Sequence, residues 1–182
     1  MIPRPSEAAN KVIVLDRDGT IVIDRHYLSD PAALEFEPGA AVGLRKMADM
    51  GFRLIVITNQ SGIARGFFSL AQLEAIHERM HQMLHSIGVR LDGIYSCPHG
   101  PEEGCDCRKP NLGLMHRASK ELGFDMSKAI VIGDKDSDIE FGRRAGAITV
   151  LIAKPGSRPA ATTTPDYIVG NLNDAADIVS PL

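Results

Sequence analysis

A chain of 182 residues is long enough for one domain of ordinary size with a sizeable core. At 44% hydrophobic and 24% charged it is too apolar to be disordered, and a formal charge of -3 gives no electrostatic ground for nonspecific nucleic-acid binding. No apolar run approaches the ~18 residues that span a bilayer, and Pro3, Pro5 and Glu7 stand where a signal peptide needs an apolar segment, so a cytoplasmic protein free of the membrane is expected.

Residues 1–10 read as a mobile tail and 11–182 as a single domain. Residues 11–15 (KVIVL) form an almost unbroken apolar run rich in β-branched side chains, as expected of a strand covered on both faces. Residues 40–50 have helical spacing, and 53–57 (RLIVI) repeat the strand signal. Residues 69–87 give the clearest helix. Leu70, Leu73, Ile76, Met80, Met83, Leu84 and Ile87 share one stripe, Ser69 can cap the start and Gly88 follows the end. Strand signals return at 93–95, 129–132, 148–152 and 167–169, with helical segments at 112–122 and 136–145. Residues 153–165, with three Pro and three consecutive Thr, read as a loose loop before a final strand and short helix.

This strand–helix alternation predicts an α/β fold of the doubly wound, Rossmann-like kind. Its sheet should be mostly parallel with helices on both faces, and its ligands should bind at the carboxyl ends of the strands. The first strand runs into Asp16-Arg17-Asp18-Gly19-Thr20, where two carboxylates two positions apart can point the same way. The second ends at Thr58-Asn59-Gln60-Ser61, whose hydroxyl and amide groups can hold phosphate oxygens. The fourth ends at Gly133-Asp134-Lys135-Asp136-Ser137-Asp138, and Arg108-Lys109 bring positive charge to the same rim. Each cluster alone reads as turn or cap chemistry. Together they supply the parts for magnesium-assisted phosphoryl transfer. Asp136 reads as a helix cap, Asp138 as a cap or a group ordering Lys135 or a metal-bound water, and Arg17 and Gln60 as solvent-facing or buttressing loops.

Cys97, His99, Cys105 and Cys107 offer three thiolates and one imidazole, a complete ligand set for a structural, tetrahedral Zn²⁺ in the loop 97–107, against the plainer alternative of reduced thiols. Because that loop ends at Arg108 and Lys109, such a metal would fix the residues that handle phosphate. His77, His81 and His85 recur every four residues beside the apolar stripe and read as a partly exposed polar margin.

The ordered motifs DRDGT, ITNQS, CRKP and IGDKDSD resemble the haloacid dehalogenase superfamily of aspartate-nucleophile phosphatases, from residue 11 to about 152. That resemblance implies Asp16 as nucleophile, Asp18 as general acid and base, Thr58 and Lys109 as holders of the phosphoryl group, and Mg²⁺ bound by Asp16, Asp134 and the carbonyl of Asp18. The Cys-x-His and Cys-x-Cys loop before Arg-Lys-Pro is similar to the zinc-containing subgroup of sugar-bisphosphate phosphatases and histidinol-phosphatases. A small phosphorylated sugar is therefore the expected substrate, with Asp24, Arg25, His26 and Tyr27 lining it and Arg108 and Lys135 recognising it. The stretches 19–57 and 59–108 leave no room for a separate cap domain, and a monomer is expected. A phosphoacceptor signalling domain would also combine Asp, Thr and Lys on such a sheet, but the DxD pair and the cysteine loop do not resemble one.

Overall fold

Alternation within the apolar runs sets the two faces of the sheet. The computed structural model describes residues 11–154 and 163–180, so the expected tail 1–10 and residues 155–162 of the expected loop lie outside the described residues. In chain order come β1 (Val12–Leu15), α1 (Ala40–Asp49), β2 (Arg53–Asn59), α2 (Leu70–Ser86), β3 (Gly93–Cys97), α3 (Gly113–Leu122), β4 (Ile130–Gly133), α4 (Asp136–Ala145), β5 (Ile148–Ile152), β6 (Tyr167–Val169) and α5 (Leu172–Val179). The strands form one sheet in the order β3-β2-β1-β4-β5-β6, every neighbouring pair parallel.

Ile13 and Leu15 of β1, Leu54 and Val56 of β2, and Ile130 and Ile132 of β4 face one layer, made by α1, α2 and α5. The intervening Val12, Val14, Ile55, Ile57 and Val131 face the other, where Leu114, Met115 and Ala118 of α3 and Phe141 of α4 pack. The two-residue period thus buries both sides of each central strand. Because β2 and β3 extend away from β1 on one side while β4 lies against its other side, the chain reverses its winding between β1 and β4. Ligands of open α/β sheets bind at the carboxyl end of such a reversal.

Two expectations need correction. Leu70 is not part of the buried stripe of α2; it is 57% exposed, while Leu73, Ile76, Met80 and Leu84 are buried. The second strand runs two residues further than the apolar run, so Thr58 and Asn59 pair in the ladder with Ser96 and Cys97 instead of following the strand. Ile23 N–H donates to Glu35 O, and Glu37 N–H to Ile21 O, both at 3.0 Å, making an antiparallel flap that rises from β1 with Asp24–Tyr27 near its tip. Ser69 caps α2 as expected, accepting from Gln72 N–H at 3.2 Å while the Gln72 side chain accepts from Ser69 N–H at 2.9 Å.

Candidate active site

The carboxyl ends of β1 and β4 are adjacent, and they bring Asp16 beside Asp134. Asp16, Asp134 and Asp138 can each place a carboxylate oxygen within 4.8 Å of the others. Lys109 enters this cluster from the cysteine loop, its Nζ 2.9 Å from Asp16 Oδ1 and 2.6 Å from Asp138 Oδ1. Lys109, Asp16 and Asp138 are only 5%, 6% and 1% exposed, so three ionisable groups share a site nearly closed to water. Burial works to raise the Asp16 carboxyl, but Lys109, Lys135 and the Arg17 N–H outweigh it and hold it below the usual range. Burial also works against the Lys109 ammonium, which Asp138 and Asp16 nonetheless hold charged above its ordinary value.

Asp134 has no such counter-charge in contact. Burial, with Asp16 and Asp138 adding to it and Lys135 opposing, pushes its carboxyl up to about 7. Thr20 Oγ1 donates to Asp134 Oδ1 at 3.3 Å. Gly19, at φ +86°, passes so close that a Cβ there would lie 2.3 Å from Asp134 Oδ2, so only glycine permits this turn and this approach together. Asp138 Oδ1 is buried and meets the Lys109 ammonium at 2.6 Å. Three crowded carboxylates, one of them raised towards neutrality, suit a hard divalent cation with oxygen ligands.

The second strand supplies polar groups. Thr58 is 1% exposed, and its Oγ1 accepts from Gln60 Nε2 at 2.8 Å. Asn59 clasps the backbone of Lys109 twice: Nδ2 donates to Lys109 O at 3.1 Å and Oδ1 accepts from Lys109 N–H at 3.0 Å. A cleft of about 320 Å³ opens over these groups, lined among others by Asp18, Asp24, His26, Tyr27, Asn59, Gln60, Ser61, Arg108 and Lys135. Lys135 Nζ reaches the Asp18 carbonyl at 3.4 Å and Asp24 Oδ2 at 3.3 Å. Arg25 does not line the cleft; its guanidinium pairs with Glu35 at 2.8 Å. His26 and Tyr27 hold φ of 49° and 64°, a turn fastened by the His26 N–H to Asp24 Oδ1 bond at 3.0 Å.

Cys97, His99, Cys105 and Cys107 converge, every ligand atom within 4.8 Å of the rest. The Sγ–Sγ separations are 3.1, 3.5 and 3.6 Å, and His99 Nδ1 lies 3.1 Å from Cys107 Sγ. A tetrahedral ion with Zn–S bonds of about 2.3 Å would place its sulfurs roughly 3.8 Å apart, so the four groups fit zinc with a slight expansion. The loop is tied to the rim by Arg108 Nη1, which donates to His99 O at 3.2 Å.

Residue-by-residue reading missed three contributors. Asp138, left between a cap and an ordering group, accepts from Lys135 N–H at 3.0 Å and also grips Lys109, while Asp136 lies one residue inside the helix and is not its cap. Its spacing four residues after Asp134, one helical turn back towards the strand end, was the available signal. Arg17, read as solvent-facing or loop-buttressing, is 1% exposed and bound to Asp18 and Gln60. His81 and His85 are exposed as expected, but His77 leans on Arg17, its Nε2 3.5 Å from Nη1.

Comparison with known proteins places this geometry. A HAD-hydrolase-like family model matches residues 106–175. The D-glycero-beta-D-manno-heptose-1,7-bisphosphate 7-phosphatase of Escherichia coli is 40% identical over 171 residues, covering 89% of this chain and 90% of the relative. The protein of the same name from Haemophilus influenzae is 40% identical, covering 95% and 98%. Among solved structures, D,D-heptose 1,7-bisphosphate phosphatase from B. bronchiseptica, complexed with magnesium and phosphate, superposes with a TM-score of 0.80 at 30% identity over 93% of this chain and 97% of that one.

Proposed function

The chain belongs to the HAD-like phosphatases, among the heptose-bisphosphate phosphatases, and from that premise we propose that it removes the 7-phosphate of D-glycero-D-manno-heptose 1,7-bisphosphate, acting on the β anomer. The observation that carries this reading is the 40% identity along nine-tenths of a relative of that name, in a chain whose buried Asp16–Lys109 pair lies at the sheet's reversal. We place the reaction in the cytoplasm, on the route to nucleotide-activated heptose for lipopolysaccharide, with the protein acting as a monomer. Among the described residues no helix is long and apolar enough to cross a membrane.

Asp16, kept ionised by Lys109, attacks phosphorus, forming the Asp16 Oδ–P bond as the ester P–O bond breaks. Asp18 gives its proton to the departing alkoxide. Water then attacks the aspartyl phosphate, its oxygen bonding to phosphorus as the Asp16–phosphoryl bond breaks, and Asp18 takes the water's proton. Lys109 and the Thr58 hydroxyl hold phosphoryl oxygens, countering the repulsion between a carboxylate and a phosphate dianion. Asp16, Asp134 and the Asp18 carbonyl would hold Mg²⁺, with Asp138 beside them, and the bound ion supplies Lewis-acid neutralisation of the phosphoryl oxygens. Arg108 and Lys135 line the cleft and would meet the second phosphate, while Asp24, His26 and Tyr27 would meet the sugar. Histidinol phosphate, the alternative substrate, has no second phosphate to engage Arg108 and Lys135. Parallel kinetics should therefore give kcat/KM for the β heptose bisphosphate about 10²-fold above histidinol phosphate. The α anomer should fall between them, and a preference for histidinol phosphate would overturn the reading.

Cys97, His99, Cys105 and Cys107 would hold a structural Zn²⁺, since four protein ligands leave no position for substrate. Metal analysis of protein purified without chelator is expected to find one zinc per chain. Cys105→Ser should lower zinc content and stability together, at roughly 2–4 °C of thermal midpoint per kcal/mol lost. A zinc-free native protein with full activity would remove the site.

A further inference from the structure

Arg17 stands between Asp16 and Asp18 in the chain, yet its side chain is buried, 1% exposed, where it meets Gln60, just past β2, and His77 of α2. Its Nε and Nη2 reach both carboxylate oxygens of Asp18 at 2.8 to 3.1 Å. Nη2 also donates to Gln60 Oε1 at 3.0 Å. A guanidinium has donors only, so it fixes which way the Gln60 amide faces. The amide nitrogen must then spend its two protons on Asp18 Oδ2 at 2.7 Å and Thr58 Oγ1 at 2.8 Å. With its oxygen serving as acceptor, the Thr58 hydroxyl has its own proton to give.

We propose that Arg17 is a positioning residue for Asp18 as the base of the second proton transfer, its fork and the Gln60 amide together holding the Asp18 carboxylate in one orientation and aiming the Thr58 hydroxyl at the phosphoryl group. This rests on the reading of Asp18 as acid and base and of Thr58 as a phosphoryl donor. The physical argument is angular. The Asp18 side chain is 16% exposed and on a turn, and a short carboxylate there has rotamers to spare. A bidentate partner plus an amide leaves it one, and displacements near 1 Å at a reacting group cost about 10²-fold in rate. His77 backs the guanidinium from α2. Burial first, then Arg17 and His81, push its imidazole down to about 4, so the ring stays uncharged against Arg17 at neutral pH. No other carboxylate among the described residues pairs with Arg17, so the buried charge is committed to Asp18.

The experiment compares Arg17→Met and Arg17→Lys with the native enzyme in Mg²⁺, on the sugar bisphosphate and on p-nitrophenyl phosphate. The sugar alkoxide needs a proton to depart, whereas nitrophenolate does not. Arg17→Met is expected to lower kcat on the sugar ester about 10²-fold with KM changed less than about threefold. On the aryl ester it should release one equivalent of nitrophenol in a burst and accumulate acid-trappable phosphoenzyme, because hydrolysis of the aspartyl phosphate still needs Asp18. Arg17→Lys, which keeps the charge without the fork, should behave like Arg17→Met. Native behaviour of Arg17→Lys, or equal slowing on both esters with no burst in a variant of native thermal midpoint, would overturn the proposal. If Arg17→Met does not fold, Gln60→Met reads the same amide from the other end, and a Gln60→Met enzyme with native kcat on the sugar ester overturns it equally. A native enzyme that forms no phosphoenzyme at all would instead overturn the phosphatase reading, and the proposal with it.

Discussion

Asp16→Asn is expected to reduce phosphate release by at least about 10⁴-fold while the protein keeps its fold. Asn has the shape of Asp, and the lost charge is not the only partner of the buried ammonium, since Lys109 retains Asp138 at 2.6 Å. The amide cannot attack phosphorus, and no second carboxylate takes its place in line, because Asp134 and Asp138 are held by Thr20 and by Lys109 and the Lys135 N–H. Phosphate release, acid trapping of phosphoenzyme and thermal unfolding check the three parts of this expectation. Substantial turnover in a folded Asp16→Asn enzyme would falsify the nucleophile assignment.

Lys109→Met should lower kcat/KM by roughly 10²–10³-fold, the loss of one fixed cation at the transferring group. It should also be the more destabilising change. Removing one member of a buried ion pair typically costs about 3–5 kcal/mol, because the charge left behind has neither water nor partner. Here two carboxylates are left, Asp16 and Asp138, with Asp134 beside them. Denaturant melts should show that loss, and added Mg²⁺ should restore more stability to Lys109→Met than to the native protein, since a divalent cation relieves the same crowding. A variant as stable as the native chain, or one indifferent to Mg²⁺, would contradict the arrangement.

The strands were legible because burial on both faces leaves an uninterrupted β-branched run, as in β1 and β5, and α2 because its stripe and Ser69 cap agree. The pairing of Asp16 with Asp134 was legible because chemistry at strand ends converges once the strands are parallel. What stayed hidden depended on partners distant in sequence. The flap joins residues 21–23 to 35–37, pieces too short for alternation to register. Arg17 is a charge that sequence logic sends to solvent, and only Asp18 and Gln60 together make its burial tolerable. Asp138 begins a helix after a strand, where an acid serves a cap as readily as a site, and only the approach of Lys109 from the cysteine loop distinguishes the two.

The double clasp of Asn59 on the Lys109 backbone has a mechanical meaning. Thr58 is the neighbour of Asn59 on the same rigid strand, so the hydroxyl and the ammonium travel as one part, and the gap between them is set by a side chain acting as a splint. Tremor in the segment bearing the thiols is damped before it reaches the ammonium, which lets a surface loop deliver a charge with the steadiness of the sheet.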